Sequence, residues 1–92
     1  MKTYSTADVA HLSGASYRQL DYWARTRLLV PSVEAKGSGT QRRYTETQLA
    51  DVQIIVALIA AGVSLTTVRR YGPRQTAERL AKMAERILAG AA

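Results

Sequence analysis

Residues 16–26 constrain this chain most, because a helix drawn through them splits into two faces of opposite chemistry. At about 100° per residue, Leu20, Trp23 and Ala24 fall on one side. Tyr17, Arg18, Asp21, Tyr22 and Arg25 gather on the other. The first face needs a core to cover it. The second is unlike an ordinary solvated helix face, which would carry flexible Lys, Glu and Gln. Two tyrosines interleaved with two arginines suit a surface that meets phosphates and base edges. The plainer reading of the same face is an exposed helix with amphipathic side chains.

The chain has 92 residues, enough for one small domain with a modest core. Lys and Arg total 13 against 7 Asp and Glu, a net charge of +6. That balance favours polyanionic partners, with nucleic acid ahead of an anionic membrane. Arg far outnumbers Lys, which leans toward bidentate contacts with phosphate or guanine. The absence of Cys excludes disulfides and thiolate metal sites. The carboxylates and the one histidine, His11, form no paired acids, nucleophile with base or metal-ligand spacing. The sequence therefore predicts no enzyme, no catalytic residues, no cofactor and no metal. Residues 1–6 lack the apolar core of a signal peptide, and the apolar run at 54–63 is about half a membrane span. A cytoplasmic, nucleoid-associated protein without a membrane partner is expected.

In chain order, Ser5 reads as an N-cap with Asp8 in a capping-box position, and the short helix that follows stops at Gly14. The turn at residues 13–15 leads to Ser16, which caps the second helix. Helix, Gly-containing turn and helix within about twenty residues is the helix-turn-helix pattern. Residues 28–31 read as an extended segment stopped by Pro31. Two extended arms around the Gly/Ser tip at 36–39, closed by Arg42, Arg43 and Tyr44, predict a two-stranded wing. Leu29 and Tyr44 would anchor the arms, and a flexible linker is the alternative. Thr45 with Gln48 opens a helix to about Ala61. Its core stripe is read as Leu49, Val52, Val56, Ile59 and Ala60, although Ile54, Ile55 and Leu58 leave the other side apolar too. Ser64 caps a helix over 65–71 that carries Arg69 and Arg70, and Gly72 and Pro73 break it. Over 74–88, Ala77, Leu80, Ala84 and Ile87 form an a/d seam of about two heptads. That seam either pairs with another subunit or folds back onto Ile54, Ile55 and Leu58.

Three motifs in order carry a family resemblance: ADVAHLSGASYRQLDYWARTRLLVP over residues 7–31, GSGTQRRY over 37–44 and GVSLTTVR over 62–69. Together they resemble the winged helix-turn-helix of the MerR-type regulators, closest to a small actinobacterial branch without an effector domain. The similarity runs over roughly residues 4–71. It implies a mainly α fold: a winged helix-turn-helix with a short two-stranded wing, two further helices and a C-terminal helix. Residues 1–71 would be the DNA-binding domain and 72–92 a dimerisation element. The resemblance further implies a homodimer on double-stranded DNA, acting in transcription, with RNA polymerase at a promoter as a further partner. The recognition helix 16–26 would enter the major groove and the wing 32–44 would lie on the flanking backbone. By matching position, Ser16, Tyr17, Arg18, Tyr22 and Arg25 are the recognition-helix contacts. Arg42 is the wing arginine with Arg43 beside it, and Tyr44 braces the wing. Leu80, Ala84 and Ile87 would pair the subunits. Two residues depart from the family: Asp21, where many members have Arg, and Arg27, where Gly is usual. Asp21 is open to pairing with Arg18 or Arg25 along the helix or to accepting from cytosine. Arg27 is expected to take a strained left-handed cap or to change how the helix ends. The alternative function is an excisionase-like or segregation protein that coats or bends DNA.

Overall fold

Three helices begin on reciprocal capping boxes, and these fix the frame of the fold. The computed structural model describes residues 2–33 and 42–91, for residue 91 the backbone alone. Strand β1 (Thr3–Ser5) runs straight into α1 (Thr6–Ser13), where Ser5 and Asp8 cap each other's backbone N–H groups. Ser16 and Gln19 do the same for α2 (Tyr17–Arg25). Strand β2 (Arg43–Thr45) repeats the first arrangement, since Thr45 and Gln48 cap α3 (Glu46–Ala60). Ser64 caps α4 (Leu65–Tyr71), and α5 (Pro73–Ala91) starts on proline, which has no N–H to orphan at that position. Each cap is worth about 1 kcal/mol. Together they set where α1 to α4 begin.

The sheet is antiparallel and pairs β1 with β2, Tyr4 opposite Tyr44. Residues 28–31, read from sequence as an extended arm, do not join it. The amide groups of Leu28 and Leu29 both donate to Trp23 O, closing the end of α2, and Pro31 has no amide to offer. Among the described residues the arm reaches the sheet at Ser32, whose hydroxyl donates to Arg43 O, and at Val33, which exchanges both backbone hydrogen bonds with Arg43 on the free edge of β2. Gln48 holds the arm in place. Its Oε1 accepts from Ser32 N and its Nε2 donates to Val30 O. The Gly/Ser tip of the wing falls within residues 34–41, outside the described residues.

The core gathers Val9, Leu20, Trp23, Leu29 and Tyr44 around α3. From α3 itself the buried side chains are Leu49, Val52, Ile55 and Leu58. This corrects the stripe read from sequence: Val56 and Ile59 are half-buried and Ala60 is exposed. The helix is apolar nearly all round, so periodicity could not choose its inner face, and its neighbours did. α1 covers one side and α5 another. Only the start of α5 takes part in this core. Thr76 is buried, Ala77 is half-buried, and Arg74 reaches Asp51 of α3 at 2.8 Å.

Candidate nucleic-acid interface

The α2 helix is held from behind and open in front. Gly14, at φ 82°, takes the left-handed turn that separates it from α1, and the Ser13 hydroxyl accepts from Ala15 N to tighten the turn. Leu20, Trp23 and Ala24 are buried, as their spacing required. Tyr17 and Tyr22 are 60% and 53% exposed, and Arg18 and Arg25 are exposed beside them. One face of the helix thus presents two phenols and two guanidinium groups to solvent. Ser16 sits at its N-terminal edge, with its hydroxyl committed to Gln19 N.

Asp21 lies in the middle of this face and pairs forward along the helix. Its Oδ2 is 3.0 Å from Arg25 Nε, while its Oδ1 accepts from Arg42 Nη1 at 3.0 Å. The hydrogen bond from Arg42 holds the carboxyl below the ordinary carboxylate range. Partial burial opposes this, and the Arg25 charge adds to it. Of the two options the sequence left among neighbouring arginines, Arg25 is the partner found, and the wing arginine joins it.

The wing arginines are less free than α2's. Arg42 is only 22% exposed in its side chain. Arg43 is turned toward β1, where its guanidinium donates to Thr3 Oγ1 and to Thr3 O. Tyr44 is fully buried, which pushes its phenol pKa up. It sits in the core opposite Tyr4 and anchors β2 there.

Sequence reasoning passed over Arg69. From α4 it donates to Thr26 O at 3.0 Å and to Thr26 Oγ1 at 2.6 Å, and it lies 6.0 Å from the Tyr22 ring. A cation thus caps the negative end of the α2 dipole. No spacing rule links residues 43 positions apart, so this contact arises from the fold alone.

At the far end, α5 carries Leu80, Ala84 and Ile87 on its exposed length. Met83 and Leu88 are exposed with them, at 54% and 71%, so the apolar stripe is wider than the seam read from sequence. Among the described residues no helix is long and apolar enough to cross a membrane.

Comparison with known proteins is consistent across sequence and fold. Residues 4–75 match the family described as MerR HTH family regulatory protein. HTH-type transcriptional regulators from Mycobacterium bovis and Mycobacterium tuberculosis are 43% identical over 67 residues, 72% of this chain. That stretch spans only 30% of the length of those relatives. Among solved structures, HiNmlR, a MerR family regulator lacking the sensor domain and bound to promoter DNA, superposes with a TM-score of 0.67 at 27% identity. The match covers 91% of this chain and 67% of that one. The regulator SkgA from Caulobacter crescentus gives a TM-score of 0.64 at 29% identity, over 97% of this chain and 70% of its own.

Proposed function

The chain belongs to the MerR family of helix-turn-helix regulatory proteins, and from that premise we propose that it binds double-stranded DNA sequence-specifically as a transcriptional regulator. The recognition helix 16–26 lies in the major groove, and the wing 32–44 rests on the flanking backbone. The observation that carries this reading is the α2 face: Tyr17, Arg18, Tyr22 and Arg25 all open to solvent on a helix whose reverse is locked into the core. Arg18 and Arg25 reach base edges or phosphates. Tyr17 and Tyr22 fill the groove with rings whose hydroxyls donate to the backbone. Ser16 approaches a phosphate at the positive end of the helix. Arg42 and Arg43 supply positive potential on the flank. Residues 72–92 pair two subunits through Leu80, Ala84 and Ile87, and the dimer reads two half-sites on one face of the duplex. RNA polymerase at a promoter is the further partner of such a regulator, and the cytoplasm is its compartment.

The test is selection of bound duplexes from a random pool, followed by titration of Arg18→Ala on the selected site. If Arg18 reads guanine, the variant loses about 1–3 kcal/mol at one base pair and tolerates the other bases there. Equal losses on the selected and a random duplex would show that Arg18 reads no base. Footprinting adds a second check: a single bounded site fits a regulator, and extended cooperative protection fits a protein that coats DNA.

A further inference from the structure

Two guanidinium groups from different elements converge on one carboxylate. Arg25 and Asp21 belong to α2, and Arg42, which lies 21 residues beyond Asp21, stands at the base of the wing. Each carboxylate oxygen serves one arginine, at 3.0 Å in both cases. A DNA phosphate offers oxygens in just such a bridging arrangement, and arginine forks favour it. Exposure is graded across the cluster: 74% for the Arg25 side chain, 41% for Asp21 and 22% for Arg42. Arg42 Nε is buried without a hydrogen-bond partner. Among the described residues, Asp21 is therefore the anion that fixes this guanidinium.

We propose that Asp21 is a positioning residue that sets specificity, tying the wing to the recognition helix and standing, in the free protein, where a backbone phosphate would bridge Arg25 and Arg42. The inference rests on the DNA-binding reading above. Two positive charges and one negative leave the cluster a single positive charge, which weakens its pull on any passing phosphate. Sequence-independent affinity follows the number of phosphates neutralised, so the carboxylate lowers it. The same bridge fixes the spacing of Arg25 and Arg42, which preserves contacts that depend on register in the groove. Asp21 thus costs affinity for all DNA and returns discrimination.

The experiment compares wild type, Asp21→Asn and Asp21→Glu on a selected duplex and a random duplex of equal length, across a salt series. Asp21→Asn is expected to bind the random duplex about 3–10-fold more tightly, with the slope of log affinity against log salt steeper by about one. Its affinity for the selected duplex changes less, so the ratio between the two falls. Asp21→Glu keeps the charge and restores the wild-type slope. A merely structural role would weaken both duplexes alike and leave the slope unchanged, and that result overturns the proposal. A variant with a lowered melting temperature but a steeper slope still supports it, because a loosened fold adds no phosphate contact. If wild type binds no duplex, the DNA-binding reading itself has failed. If wild type binds and Asp21→Asn matches it in ratio and slope, only the role of Asp21 has.

Discussion

Arg27 keeps its backbone at φ 64°, where the Cβ of an L-residue crowds the following carbonyl. It does so because α2 ends in a Schellman motif: Arg27 N donates to Ala24 O and Leu28 N to Trp23 O. That closure needs a left-handed residue after the cap. Arg27→Gly and Arg27→Ala remove the same side chain, so their difference isolates the backbone. The Gly variant should be the more stable by about 1 kcal/mol, which is roughly 4–8 °C in melting temperature at equal protein concentration. Equal melting of the two variants would refute the strain. This conflict was legible in the sequence, because a left-handed cap is a local matter and Arg stood where Gly is usual. The pairing of Asp21 was half legible. Its partner four residues along the helix follows from spacing, whereas Arg42 arrives only through the fold. Because Arg42 and Arg25 depress the Asp21 pKa in the folded state, the bridge stabilises the fold fully above the unfolded carboxylate pKa, near pH 4. That contribution fades as pH falls through the lower folded pKa. Wild type should therefore melt above Asp21→Asn at neutral pH, with the gap closing below about pH 4. A gap that stays constant down to pH 2 would mean that the charge of Asp21 contributes nothing.

Helices α1 to α4 were readable because each begins on a side chain that caps it, and a cap is decided within four residues. The sheet was not. β1 is a three-residue strand, too short for alternation to register, and its partner lies some forty positions away. The inner face of α3 was equally hidden, since a helix apolar on nearly every side takes its orientation from what packs against it. Gln48 shows how one residue serves both scales. It closes the capping box of α3 and also hydrogen-bonds Ser32 N and Val30 O, whereas Gln19 closes the box of α2 and has no such second task among the described residues. With each bond worth about 0.5–1.5 kcal/mol, Gln48→Ala should destabilise by about 2 kcal/mol and Gln19→Ala by about half that. Urea unfolding of the two variants tests this. Equal losses would mean that the bonds to the arm contribute nothing beyond the cap. Under the proposed function, Gln48→Ala also frees the arm that leads into the wing, so its DNA affinity should fall further than its stability alone accounts for.

Taken whole, the molecule is drawn out, 57 Å along its longest axis and 25 and 19 Å across the others. A 19-residue helix is about 28 Å long, so the length of α5 alone equals about half of that axis. Its first turns are anchored by Thr76, by Arg74 on Asp51 and by Arg79 stacked 3.9 Å over the Tyr71 ring. From Leu80 onward its apolar side chains stand in solvent, with Ile87 67% exposed. The fold-back onto α3 that the sequence left open therefore stops after the first turns. An amphipathic helix of this length is marginal by itself in water, and a stripe holding Leu80, Met83, Ala84, Ile87 and Leu88 needs cover. A second α5 supplies it in the proposed dimer. Light scattering should then give a mass twice the 10.1 kDa of the chain at micromolar concentration. Ile87→Glu places a carboxylate in the apolar seam of each subunit, where its desolvation is costly, and should return the mass to that of one chain. Since two linked half-site contacts gain about 10²–10⁴ over one, the same variant should bind a palindromic site at least a hundredfold more weakly while binding a single half-site as wild type does. A wild-type chain that remains monomeric at micromolar concentration and still protects a palindrome would refute pairing through α5. Two independent reading heads would then have to meet the duplex unaided.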